Sequence, residues 1–127
     1  QPMAQPVMDL KDIVYQNFLT SLTQKYKYER EVGFYAKEQR LSPRYFASII
    51  RDKTGKSPKE WIIQMVINSI KQSLIYSGKS IKEIAIDYHF PTQSFFGKYF
   101  KQYVGVSPKE FREEAKRKHI IPAQQQD

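Results

Sequence analysis

The chain has no cysteine, two histidines and five glycines in 127 residues, and each shortage excludes something. Without cysteine there is no disulfide framework and no thiolate metal site, as suits a reducing cytosol. His89 and His119 are too few for a histidine-based catalytic or metal constellation. No Gly-x-Ser-x-Gly elbow occurs, and the carboxylates are scattered over segments that read as solvated helices. Gly55-Lys-Ser57 and Gly78-Lys-Ser80 have the end of a phosphate-binding loop, but the upstream glycine that loop needs is Ile50 in one case and Ser73 in the other. No run is apolar enough to span a membrane. The longest, Trp61 to Ile75, is broken by Gln64, Asn68, Lys71 and Gln72 and falls short of the roughly 20 residues required. A signal-peptide pattern, strand alternation, and the aromatic sheet or Gly-x-x-Gly loop of common RNA-binding modules are missing too. The expectation is a cytoplasmic protein that is neither an enzyme nor a membrane protein and needs no metal or cofactor.

What is present is positive charge and repetition. A formal charge of +8 and a pI near 9.6 imply a polyanionic partner. Apolar residues make up 40% of the chain and aromatics 14%, enough for real cores at this length. Gly55-Lys-Ser-Pro-Lys-Glu-Trp61 recurs as Gly105-Val-Ser-Pro-Lys-Glu-Phe111, and Phe46, Ile50 and Gly55 stand at the same offset from Phe96, Phe100 and Gly105. Tyr35-Ala36 and Ile84-Ala85 correspond with one residue of slippage. A short helical unit is therefore present in duplicate, and a basic tool presented twice suits duplex nucleic acid.

Residues 1–8, with two prolines and no periodicity, read as a linker or a cut end, and residues 119–127 as a disordered tail. Between them the pattern is helical. Leu10, Ile13, Val14, Phe18, Leu22 and Tyr26 recur at helical spacing behind a capping Asp9, with Met8 and Ile13 placed as a staple. A short helix near Val32 to Gln39 precedes Ser42-Pro43, which opens a helix that Gly55 closes. Ser57-Pro58 opens a long helix to about Ser77, apolar on more than one face, as a central helix between two subdomains would be. A helix from about Ser80 to Tyr88, a turn at His89-Phe90-Pro91, a Thr92-capped helix closed by Gly105 and a last helix from Ser107-Pro108 to about Lys118 complete the chain. The expected partition is a first subdomain over 9–57, a central helix over 58–77 and a second subdomain over 78–118.

Short helix, turn, second helix is the helix-turn-helix arrangement, whose second helix enters the major groove. Such a helix needs a dry face and a wet one. In the first copy Phe46, Ile49 and Ile50 are expected to be dry, while Arg44, Ala47, Ser48 and Arg51 face water. In the second, Phe96, Tyr99, Phe100 and Tyr103 are expected to be dry, while Gln93, Ser94, Gly97, Lys98 and Lys101 are wet. Arginine can bond guanine bidentately, glutamine adenine, serine several base edges, and lysine guanine or phosphate. Tyr45 and Phe95 occupy equivalent third positions beside the dry faces, suited either to packing or to a phosphate or thymine methyl. Gly97, in mid-helix, suits either close approach of DNA or tolerated drift. The alternative for the whole chain is a basic helical protein-interaction module with only nonspecific DNA affinity, which an exposed apolar groove would mark.

With these residues in view the chain resembles the DNA-binding domain of the AraC/XylS family of bacterial transcription regulators. The likeness covers about residues 9–115 and is carried by Ile81-Lys-Glu-Ile-Ala85, Phe90, Phe95-Phe96, Tyr99-Phe100-Lys101 and Gly105-Val-Ser-Pro-Lys-Glu-Phe-Arg112. The first copy adds Tyr35-Ala36, Leu41-Ser42-Pro43, Tyr45-Phe46 and Thr54-Gly55-Lys-Ser-Pro58. The resemblance implies an all-α fold of about seven helices, with two helix-turn-helix subdomains joined by a long central helix and both recognition helices in neighbouring major grooves of promoter DNA. It further implies an activator that contacts RNA polymerase and a separate N-terminal sensing or dimerisation domain outside this chain. Three positions depart from the family pattern: His89 stands where glycine is common in the turn, Val66 where many members carry arginine, and Ile70 where they carry alanine.

Overall fold

The computed structural model describes residues 8–118, so the linker expected over residues 1–8, apart from Met8, and the expected tail over 119–127 lie outside the described residues. Those described form an all-α fold of seven helices. They are α1 (Leu10–Lys25), α2 (Val32–Glu38), α3 (Pro43–Thr54), α4 (Pro58–Tyr76), α5 (Ile81–Asp87), α6 (Gln93–Val104) and α7 (Pro108–Arg117). The chain divides into two compact units between Ile62 and Ile63, inside α4.

Helix boundaries follow local chemistry. The Asp9 carboxylate accepts from the Asp12 N–H at 2.9 Å while Asp12 accepts in return from the Asp9 N–H, a reciprocal cap for α1. Ser57 with Glu60, Ser80 with Glu83 and Ser107 with Glu110 repeat the device at α4, α5 and α7. Hydrogen bonds from Ser57 and Ser107 hold the Glu60 and Glu110 carboxyls below the usual carboxylate range. Ser42 and Thr92 cap α3 and α6 through the N–H groups of Tyr45 and Phe95 at 3.1 and 3.0 Å. Both helices stop at a left-handed glycine, Gly55 at φ 81° and Gly105 at φ 98°.

In the first unit Val14, Phe18 and Leu22 of α1 close over Tyr35 and Ala36 of α2 and Phe46, Ile49 and Ile50 of α3, all buried. Phe18 meets Tyr35 and Phe46 edge-on at 5.4 and 5.2 Å. The Tyr35 hydroxyl donates to the Glu29 carbonyl at 2.7 Å, and burial pushes its ionisation well above the ordinary phenol range. Lys11 pairs with Asp52 at 3.3 Å and Lys53 with Asp12, tying the start of α1 to the end of α3. The staple expected between Met8 and Ile13 is not formed as a buried contact, for they are 48% and 45% exposed and Leu10 is 54% exposed.

In the second unit Val66, Ile67, Ile70 and Leu74 of α4 are buried, as are Ile84 and Ala85 of α5, Phe96 and Phe100 of α6, and Ala115 of α7. Val66 and Ile70 have no exposed surface, so these two departures from the family pattern are core residues. Phe96 lies 5.2 Å from Phe90, and Phe100 meets Phe111 edge-on at 5.6 Å. Arg112 Nε donates to the Leu74 carbonyl at 2.8 Å, satisfying an acceptor that the last turn of α4 leaves open. Tyr103, expected on the dry face of α6, is 37% exposed, and Tyr99 is half-buried. The two rings meet edge-on at 5.1 Å along the flank of the helix, and α6 gives the core only Phe96 and Phe100 as fully buried side chains.

The two helix-turn-helix turns are built alike. After α2 the Leu41 N–H donates to the Ala36 carbonyl and the Arg40 N–H to the Lys37 carbonyl, both at 3.0 Å. After α5 the Phe90 N–H donates to Ala85 and the His89 N–H to Ile86, again both at 3.0 Å. This is the Schellman closure, and it places Arg40 at φ 59° and His89 at φ 56°, a left-handed conformation that favours glycine. Arg40→Gly and His89→Gly are each expected to raise stability by about 0.5–1 kcal/mol, seen as a higher thermal midpoint. A midpoint that stays or falls would show that the native side chains offset the backbone cost.

Candidate nucleic-acid interface

α3 and α6 are both 12 residues long, both capped by a hydroxyl side chain and both ended by glycine, so positions 50 apart in sequence are equivalent on them. On α3 the side chains of Arg44, Tyr45, Ser48 and Arg51 are exposed and Ala47 is half-buried. On α6 Gln93, Ser94, Lys98 and Lys101 are exposed and Gly97 is half-buried. The opposite faces, Phe46, Ile49 and Ile50 on α3 and Phe96 and Phe100 on α6, are at most 2% exposed. Each helix is thus pinned by an apolar face and held with a polar face toward solvent.

Some of the surface cations are tied to carboxylates and others are not. Lys11, Lys25, Lys53 and Lys79 are each held by a carboxylate. Arg44, Arg51, Lys98 and Lys101 form no ion pair among the described residues, although the charges of Arg51 and Lys101 act on the Glu60 and Glu110 carboxyls. Chemistry differs at equivalent positions: Arg44 matches Ser94, Ala47 matches Gly97, Ser48 matches Lys98 and Arg51 matches Lys101. A Cβ added at Gly97 would meet nothing within 4 Å, so no packing inside the protein calls for glycine there. Phe95, set aside above as equally suited to packing, is 52% exposed, against 48% for its counterpart Tyr45. The signal for it was already in the repeat, since Tyr45 stands 50 positions earlier.

No group of three or more His, Asp or Glu side chains among the described residues could hold a metal ion, and no helix among them is long and apolar enough to cross a membrane.

Two capped helix-turn-helix units with polar, partly cationic second helices define a helix-turn-helix domain of AraC/XylS-like or related type. The helix-turn-helix domain family matches residues 35–114, and the chain belongs to it. It is 33% identical over 108 residues to the Msm operon regulatory protein of Streptococcus mutans, a match covering 85% of this chain and 36% of that protein. The chain therefore spans about a third of that relative's length. In fold it is similar to the C-terminal domain of AraT, a response regulator from Geobacillus stearothermophilus, with a TM-score of 0.75, 20% identity and coverage of 94% of this chain and 95% of that one. It is also similar to the DNA-binding domain of AdpA, a global transcriptional factor solved in complex with a target DNA, with a TM-score of 0.72, 20% identity and coverage of 85% and 97%.

Proposed function

We propose that this chain is the DNA-reading part of an AraC/XylS-type bacterial transcription regulator, in which α3 and α6 enter neighbouring major grooves of promoter DNA. The observation that carries this reading is the paired construction of α3 and α6, each with a buried face and an exposed face of side chains suited to base edges and phosphates. Residues 9–57 and 78–118 act as the two reading subdomains, with 58–77 as the helix between them. In the intact cytoplasmic protein an N-terminal sensing or dimerisation domain controls this part, and contact with RNA polymerase makes it an activator. Arg44, Tyr45, Ala47, Ser48 and Arg51 serve one half of the site. Gln93, Ser94, Gly97, Lys98 and Lys101 serve the other, with the bare Gly97 letting the duplex approach α6.

The test is selection from a randomised duplex pool at near-physiological salt. The expected product is an asymmetric bipartite motif with half-elements about 10 base pairs apart. Enrichment of a motif confined to one groove, or none, would overturn the two-headed reading. Arg44→Ala is expected to relax preference within one half-element and Gln93→Ala within the other, by about 1–3 kcal/mol each. Lys101→Ala is expected to weaken all sequences alike. Identical behaviour of all three variants would show that the reading residues are wrongly assigned.

A further inference from the structure

We infer that Phe95 and Lys98 act together on one base of the half-site read by α6, and that this base is thymine. The inference rests on the DNA-reading role proposed for α6. Phe95 is the third residue of the helix, and its ring is 52% exposed although six-carbon aromatic surface is better buried. It is not loose. Phe90 backs it with ring centroids 6.2 Å apart, and Phe90 is itself held against Phe96 and Tyr99, both at 5.2 Å. Beside it lies a shallow groove of about 240 Å³ lined by Phe95, Lys98, Tyr99 and Gln102. Phe95, Lys98 and Tyr99 are three and four residues apart and so share one helix face. The rings offer an apolar floor, and the Lys98 ammonium, with no carboxylate paired to it, offers donors at the rim.

Thymine alone among the bases places a C5 methyl and an O4 acceptor side by side on its major-groove edge. The methyl fits against the Phe95 ring, and O4 accepts from Lys98. Cytosine has no methyl and turns an N4 donor toward the ammonium, so both contacts fail. The equivalent positions of α3 do not make this pair. There Tyr45, Ser48, Ile49 and Asp52 replace the four, with Ile49 buried and Asp52 adding a carboxylate that Lys11 holds at 3.3 Å. Thymine reading of this kind belongs to the second helix only.

The experiment uses the full chain and its selected duplex, with fluorescence anisotropy as the readout. Each thymine is replaced in turn by uracil, which removes the methyl and keeps O4. In a second series each T·A pair becomes 5-methylcytosine·G, which keeps the methyl and replaces the acceptor by a donor. At one thymine, uracil is expected to weaken binding about fourfold, the value of one buried methyl. Phe95→Ala is expected to erase that difference, and Phe95→Leu, which keeps an apolar tip, to retain part of it. At the same thymine 5-methylcytosine is expected to cost tenfold or more, and Lys98→Ala to reduce that cost. Phe95 and Lys98 lie outside the core, so helical content by circular dichroism is expected to stay unchanged. A selected motif in which no thymine responds to uracil, or responds equally in Phe95→Ala, overturns the thymine inference and leaves DNA reading standing. A pool without enrichment overturns both.

Discussion

Phe46→Ala is expected to unfold the first unit at room temperature or bring it to the edge of unfolding. Phe46 has no exposed surface and meets Phe18 edge-on at 5.2 Å, so its removal opens a cavity in the contact that joins α1 to α3. Truncating a buried phenylalanine costs about 3–5 kcal/mol. A unit of some 55 residues has a total stability of about 3–8 kcal/mol at ordinary values per residue. The loss is therefore comparable with the whole. Urea unfolding followed by circular dichroism should show part of the helical signal lost at low denaturant, with the rest unfolding near its native midpoint. Tyr45→Ala, one residue away and half in solvent, is the control and should move the curve little. Equal shifts for the two variants would mean that Phe46 is not the keystone its burial indicates.

Salt is expected to act more strongly on DNA affinity than any single reading residue. Arg44, Arg51, Lys98 and Lys101 form no ion pair among the described residues and lie on the faces proposed to read DNA. If a bound chain neutralises about six phosphates, the logarithm of affinity falls with the logarithm of salt at a slope of roughly −5. Between 50 and 200 mM this is a loss of about a thousandfold. Lys101→Ala should make the slope shallower by about one, because the contact proposed for it is to phosphate. A slope shallower than about −2 in the native chain would assign the basic charge to solubility.

Six of the seven helix starts were legible because each is set by a device a few residues long. Asp9, Ser42, Ser57, Ser80, Thr92 and Ser107 all cap, and Gly55 and Gly105 both stop. The one-residue slippage between Tyr35-Ala36 and Ile84-Ala85 also has its cause in plain view. Four residues separate α2 from α3 and five separate α5 from α6, the extra one lying in the stretch that holds Pro91. Other features depend on what lies opposite, which periodicity does not encode. Tyr103 repeats at helical spacing from Tyr99 and still faces solvent, and Leu10, on the same stripe as Val14, is 54% exposed. Arg40 carries no preference for a left-handed backbone, and only the Schellman bonds of its turn reveal the conformation it adopts. Among candidate reading residues, exposure of the wet faces followed from the pattern, whereas the groove beside Phe95 required the positions of Phe90 and Tyr99.

Trp61 is the sole tryptophan, and it belongs to the first unit, where its indole N–H donates to Thr54 Oγ1 at 3.0 Å, the Tyr15 ring lies 6.1 Å away and the Lys56 ammonium sits 5.1 Å above its face. The molecule is therefore optically lopsided. Excited at the red edge of the indole band, it emits from one unit and is dark in the other, so an unlabelled chain already carries a private signal for whichever ligand or denaturant reaches its first half.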